Sequence, residues 1–476
     1  MRNLKRLSII GIVTVSLLAV IYVLLLQEQE ADWQDGVIFS SATAADVQSV
    51  TVTNESGTFH FYFDPDDGGY VTDEIPPFIV DIDVFIGFLT NSARLSAIRT
   101  IPFDESDSQD WGLENPSAEA EIVFFDGTSL RLYIGNIEPV SGNYFAAVDG
   151  FEGVHIIPRM VAEQFLRPKT QIISMHVTPP LVFSSPLSAI RDITFEGGRL
   201  DRPVTMQAVM GAAEEVVLAA MSFGTATHIV HGAATYQLDQ TYGSYIFGSL
   251  FGINAIDIVG FNMTEAQISE LGFDNPYMTV DFHMLDRADE PPLLVPLRIV
   301  QAEDAHYYIT VEGSGVVYLI GREPFMDISF DRLPTRWFLT PFIMTLSAVT
   351  VEAEDLYIRL EIDNTDPQNP IITHQDQEVD VELFRSFFRL ITSAAHDDSY
   401  LGPHTPATDA PLLTITYEYQ NPAKVPDILT IHAGGVRRHN VFINGSGEFA
   451  IRDSFADSVV QGALNLLAGI QINEMW

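Results

Sequence analysis

The chain writes one unusual phrase twice: residues 110–116 read DWGLENP and residues 270–276 read ELGFDNP. Long-range self-similarity restricts a fold more than composition does, because each copy must close the same local structure. The phrase holds no nucleophile beside a base and no cage of metal ligands, so its repetition points to architecture. In the second copy Thr264 and Gln267 fit a capping box that opens a short helix near residue 265. Leu271 ends that helix and Gly272 follows, where the chain needs a residue at ease with positive φ. Phe273 is expected to fold back on the last turn, and Pro276 to start a strand without needing a ladder donor. Trp111, Gly112, Leu113, Asn115 and Pro116 take the same roles in the first copy.

The surroundings of the phrase recur three times. An alternating strand opens each unit: SVTVT at 49–53, DITFE at 192–196 and AVTVE at 348–352. An apolar stripe at helical spacing follows, carried by Ile82, Phe85, Ile86 and Leu89, then by Tyr245, Ile246, Ser249 and Leu250, then by Leu383, Phe384, Phe387, Phe388 and Ile391. Strand pairs come next, at 121–135 around an Asp126-Gly127 turn, at 279–300 and at 413–433. A second hairpin closes each unit on Gly150, Gly313 or Gly445. The third copy keeps Pro411 but lacks the Gly-Leu-acid-Asn run before it.

The expected class is therefore α+β: an N-terminal transmembrane helix followed by three tandem repeats of antiparallel sheet with packed helices. The units span 36–166, 187–330 and a degenerate 346–476, with connections at 167–186 and 331–345. Residues 1–6, MRNLKR, form a basic tail, and residues 7–26 run for twenty positions without a charge. As a helix that run would be about 30 Å long, the thickness of a bilayer's hydrocarbon core. No Ala-x-Ala site follows it, which favours an uncleaved anchor over a signal peptide. Basic residues before the run and acids after it place the tail in the cytoplasm and the body outside. The lipid bilayer is then the expected partner of residues 7–26.

Charge narrows the remaining partners. Lys plus Arg number 24 against 64 Asp plus Glu, a formal net of −40, which would repel phosphate backbones and excludes nucleic-acid binding as a function class. With no cysteine there is no disulfide framework, Cys-ligated zinc or iron–sulfur site. Lysine is confined to Lys5, Lys169 and Lys424, which argues against a lysine base.

Candidate chemistry reduces to a few groups. His228 and His231 stand three apart with no third ligand in sequence, so they read as ordinary histidines. Asp64, Asp66 and Asp67, and Asp363 with Asp366 at the matching place in the third copy, could face calcium, but solvated hairpin tips explain both sets. Asp104, Asp107 and Asp110 could supply the paired carboxylates of a glycosidase, against the simpler reading of an acidic loop opening a helix. No catalytic, cofactor-binding or metal residue is assigned, and no cofactor is expected.

The motifs GLENP at 112–116, DG at 126–127, IG at 134–135, NYFAAVDG at 143–150 and GVHII at 153–157 recur as GFDNP at 272–276, HYYITVEG at 306–313 and GVVYLI at 315–320. Together with the N-terminal apolar run they resemble the bacterial family known as domain of unknown function 4340, over residues 1–345 and more loosely beyond. The resemblance implies an envelope-exposed, anchored protein associated with ABC-type transporters similar to the gliding-motility kind, and it carries no catalytic residue. The expected function is that of a non-catalytic accessory or interaction subunit of an ABC-type transport system, with a permease or other envelope protein as partner. The alternative is a cell-envelope glycan-binding protein or hydrolase using the acids at 104–110.

Overall fold

The computed structural model describes residues 36–65, 69–72, 79–101, 111–181, 185–285, 292–397, 399–404 and 410–476. The chain divides into two compact units, one ending at Ser174 and the other running from Met175 to Trp476.

In the first unit β1 (Ile38–Ser41) pairs with β5 (Arg94–Ser96) in a two-stranded sheet. The large sheet takes β2 (Val47–Asn54), β3 (Gly57–Asp64), β4 (Gly69–Val71), β6 (Arg99–Ile101), β7 (Ala118–Phe124), β8 (Ser129–Ile137), β9 (Tyr144–Val148) and β10 (Phe151–Ile157). Their order is β4-β3-β2-β7-β8-β9-β10-β6. Helix α1 (Ile82–Ala93) lies between β4 and β5, and α2 (Arg159–Leu166) follows β10. The core sits between sheet and helices, where Val50, Val52, Phe59 and Phe61 meet Phe85, Phe88, Leu89 and Phe165.

The second unit holds two sheets of nine strands. One contains β11 (Ile190–Gly197), β12 (Val204–Ala208), β13 (His228–His231), β14 (Thr235–Gln237), β15 (Asp257–Gly260), β16 (Met278–Met284), β17 (Leu293–Gln301), β18 (Tyr307–Val311) and β19 (Val317–Ile320). The other contains β20 (Leu346–Ala353), β21 (Leu356–Asp363), β22 (Ile371–His374), β23 (Gln377–Glu378), β24 (Tyr400–His404), β25 (Leu413–Tyr419), β26 (Asp427–Ala433), β27 (Arg438–Ile443) and β28 (Ser446–Arg452). The orders are β14-β13-β12-β11-β16-β17-β18-β19-β15 and β23-β22-β21-β20-β25-β26-β27-β28-β24. The helices are α3 (Pro186–Ala189), α4 (Glu214–Ala220), α5 (Gln240–Gly248), α6 (Glu265–Glu270), α7 (Val381–Thr392) and α8 (Ser454–Leu467).

All three large sheets follow one path. The chain starts in the middle, meanders to one edge, crosses by a helix to a strand at the opposite edge, returns to the middle and meanders out to meet that strand. Local detail recurs too. The register of the first strand slips once near its start, between Val47 and Ser49, Ile190 and Asp192, and Leu346 and Ala348. The returning strands β7, β16 and β25 share one strict alternation of buried and half-buried residues, the mark of a sheet with one face in the core. Each crossing helix has an aspartate at its N-cap: Asp81 accepts from the N–H groups of Asp83 and Val84, Asp239 from Tyr242, and Asp380 from Glu382 and Leu383.

The α+β expectation with a transmembrane helix is corrected here. The described chain is mainly antiparallel sheet, and most of its buried apolar residues stand on strands. Among the described residues no helix is long and apolar enough to cross a membrane. The longest, α8, has 14 residues, about 21 Å at 1.5 Å per residue against a core of about 30 Å. Residues 7–26, expected as the anchor, lie outside the described residues, and a single-pass membrane placement has no support among the described ones.

The repeated phrase also differs in detail from its reading. The capping box is present, Gln267 Oε1 accepting from the Thr264 N–H at 2.8 Å, and Gly272 has φ +94° and Gly112 φ +72°. The stop, however, is a tightened turn in which the Gly272 N–H donates to the Ser269 carbonyl at 2.8 Å. Phe273 is only half-buried, and the next residue, Asp274, takes a hydrogen bond from the Ser269 hydroxyl.

Candidate functional site

Within the second unit, the segment after residue 330 is stitched to the end of β14 and to segments beside both nine-stranded sheets. Asp239 donates its N–H to the Leu333 carbonyl at 2.7 Å and Thr335 to that of Gln237 at 2.8 Å. Further along, Phe338 donates to Ala394 at 3.0 Å and His396 to Arg336 at 2.8 Å. Thr340 donates to the Ser222 carbonyl at 2.9 Å. Beside Ser222 lies a cavity of about 260 Å³ whose lining includes Ser222, Phe223, Gly232, Lys424, Asp427 and Asn444.

Three pieces of local structure deliver its polar groups. Ser222 follows the end of α4, an insertion between β12 and β13. Lys424 closes a turn in which its N–H donates to the Asn421 carbonyl at 3.0 Å. Asp427 begins β26, and Asn444 leads the two-residue turn from β27 to β28, with φ +52° at Asn444 and +83° at Gly445. Asn-Gly suits such a turn because both positions require positive φ.

The groups converge on Asp427, whose side chain is 4% exposed. Its Oδ2 accepts from the Ser222 hydroxyl at 2.5 Å and from the Tyr419 hydroxyl at 2.6 Å. Its Oδ1 accepts from Lys424 Nζ at 3.1 Å and from Asn444 Nδ2 at 3.1 Å. Lys424 Nζ also donates to Ser222 Oγ at 3.0 Å and stands 4.9 Å from the centre of the Tyr419 ring. Burial, and then the charge of Asp427, push the Tyr419 phenol well above its ordinary pKa, so it stays a hydrogen-bond donor. A carboxylate offers about four lone-pair positions, and those of Asp427 are taken by its own chain.

A serine beside a lysine suggests acyl transfer, but the geometry turns the other way. The Ser222 proton points to Asp427, and the lysine donates toward the serine oxygen instead of presenting a lone pair to it. Ser222 is thus poorly placed to attack a substrate. The same bonds join Ser222, beside the second sheet, to Asp427 and Lys424 of the third.

A second buried pair lies nearby. The Arg202 guanidinium meets Glu448, whose side chain is fully buried, and lies 4.8 Å from the centre of the Phe330 ring. Tyr236, Tyr400 and Phe449 pack around it. Gly232 is required here, because a Cβ would stand 2.5 Å from Glu448 Oε2.

The residues weighed from sequence fall elsewhere. His228 and His231 are three apart on β13, which sends them to opposite faces. The His228 Nε2–H donates to the Ile190 carbonyl at 3.1 Å, and His231 Nε2 lies 2.6 Å from Gln207 Oε1. Asp363 and Asp366 bond their own turns, through Thr365 and through Gln368 and Asn369, which lowers both pKa values. Asp64 ends β3, while Asp66, Asp67, Asp104, Asp107 and Asp110 lie outside the described residues. Among the described residues no cluster of three or more His, Asp or Glu could hold a metal ion. The cluster on Asp427 was not anticipated, since Ser222 and Asp427 are 205 positions apart. The scarcity of lysine sets Lys424 apart in the sequence, but it was read there as an argument against a lysine base.

No family model matches the chain, and neither a curated protein nor a solved structure matches it.

Proposed function

We propose that this protein is a non-catalytic interaction protein, an accessory subunit that presents its sheet units to a protein partner. The transporter assembly implied by the resemblance is the partner class this reading favours. The observation that supports it is the state of the cavity cluster on Asp427, which carries catalytic residue types. Ser222, Lys424, Tyr419 and Asn444 satisfy Asp427 from four directions, and the cluster spends its hydrogen bonds on bracing two sheets together.

The test is an activity-based one. Incubation of the full-length protein with a fluorophosphonate serine probe is expected to leave Ser222 unlabelled. The S222A variant is expected to lower the melting temperature without removing any hydrolytic turnover on an ester and amide panel. Stoichiometric labelling of Ser222, lost in S222A, would overturn the reading.

A further inference from the structure

The cluster that cannot serve an outside substrate is arranged to react with itself. We propose that Lys424 and Asn444 form an intramolecular isopeptide cross-link, with Asp427 moving the protons. The reaction needs a buried amine, a carboxamide, a carboxyl group touching both, and a donor on the carboxamide oxygen. All four are present. Lys424 and Asp427 side chains are 8% and 4% exposed. Asp427 Oδ1 accepts from Lys424 Nζ and Asn444 Nδ2 alike, each at 3.1 Å. The Ile428 backbone N–H donates to Asn444 Oδ1 at 2.8 Å, where negative charge develops when the carbonyl carbon is attacked. Ser222 and Tyr419 fix the carboxylate through Oδ2, and Lys424 Nζ lies against both of its oxygens, 3.0 Å from Oδ2 and 3.1 Å from Oδ1.

The step balances without a further reactant. Lys424 Nζ, within hydrogen-bond reach of the Asp427 carboxylate, gives one proton to it. The freed lone pair attacks Asn444 Cγ, and the oxygen charge is met by the Ile428 N–H. Asp427 protonates Nδ2 as the nitrogen from Lys424 loses its second proton, the Cγ–Nδ2 bond breaks and ammonia leaves. The remaining proton stays on Asp427 or departs with ammonia as ammonium. The adjoining cavity of about 260 Å³ gives ammonia a way out. The product ties the turn before β26 to the turn after β27, two neighbouring strands, and does in this cysteine-free chain what a disulfide does elsewhere. The cross-link forms whatever partner the protein holds.

Intact-mass spectrometry of the purified full-length chain is the test. The wild type is expected to be lighter than its sequence by one ammonia, and a digest is expected to yield a branched peptide joining Lys424 to Asn444, with no tryptic cut after Lys424. K424R, which keeps the charge, is expected to show the sequence mass. D427N is expected to do the same, its folding verified by circular dichroism. Two results overturn the proposal. One is a wild-type chain at its sequence mass after long incubation, with Lys424 open to acylation once unfolded. The other is an ammonia loss that persists in K424R, which assigns it to a succinimide at Asn444-Gly445.

Discussion

At Gly135 the obstacle to a side chain is space, not backbone conformation: a Cβ there would stand 2.1 Å from the Trp111 carbonyl oxygen. Gly127 is the reverse case, with φ +84° and open space around it. G135A is therefore expected to cost about 1–3 kcal/mol through overpacking, and G127A about 1 kcal/mol through backbone strain. Urea unfolding of the first unit would read both, and a larger loss in G127A would contradict the assignment. The Asp126-Gly127 turn was readable because turn chemistry is local. The reason for Gly135 was not, since it depends on a carbonyl 24 positions earlier in the chain. Asp427 is an extreme of the same kind, its partners gathered from the segment after α4, from β25 and from two turns. D427A strands the Lys424 ammonium without its counter-charge and is expected to cost about 3–5 kcal/mol, measured by the same unfolding in the second unit.

Helices show why periodicity carries information only in part. The stripe on α7 was legible at Phe384, Phe387, Phe388 and Ile391, which are buried, but it included Leu383, which is half-buried, and omitted Leu390, which is buried. On α1 the reading included Ile86, which is 49% exposed, and omitted Phe88, which is buried. On α5 it took Tyr245, which is exposed, and passed over Tyr242 and Phe247, which are buried. Short aromatic-rich helices fit more than one stripe, and the sheet beneath decides between them. The stretch between β12 and β14 resisted reading altogether, because α4 is inserted there and strands of four and three residues give little alternation to follow. What the three crossing helices do share is an N-cap aspartate. Replacing Asp380 with alanine removes the acceptor for two backbone N–H groups and is expected to cost about 1 kcal/mol, whereas D380N retains most of it. Thermal melts of the two variants would check this, and equal losses would show that charge, not capping geometry, matters at that end.

Across the whole chain the balance of charge sets how stability follows pH and salt. Burial lowers the pKa of His155, His228 and His231, so below about 6.5, their ordinary value, the unfolded chain binds protons that the folded chain refuses. Their contribution is complete above that value and is lost as pH falls toward the folded values. Asp46, Asp126, Glu138, Asp327 and Glu418 are held low, chiefly by hydrogen bonds, and add a second loss at more acid pH, as those carboxylates are forced to protonate. Against both runs the self-repulsion of a chain at −40, which acid relieves and salt screens. The two effects separate by experiment. At pH 7.5 the melting temperature is expected to rise as salt is raised from about 10 mM to about 150 mM, where the screening length falls to about 8 Å. With salt held at the higher level, it is expected to fall between pH 7.5 and 5.5. H228Q can keep a donor to the Ile190 carbonyl yet cannot titrate, so its melting temperature is expected to fall less over that range. A wild-type melting temperature that instead climbs on acidification at the higher salt level would mean that carboxylate repulsion outweighs the buried histidines.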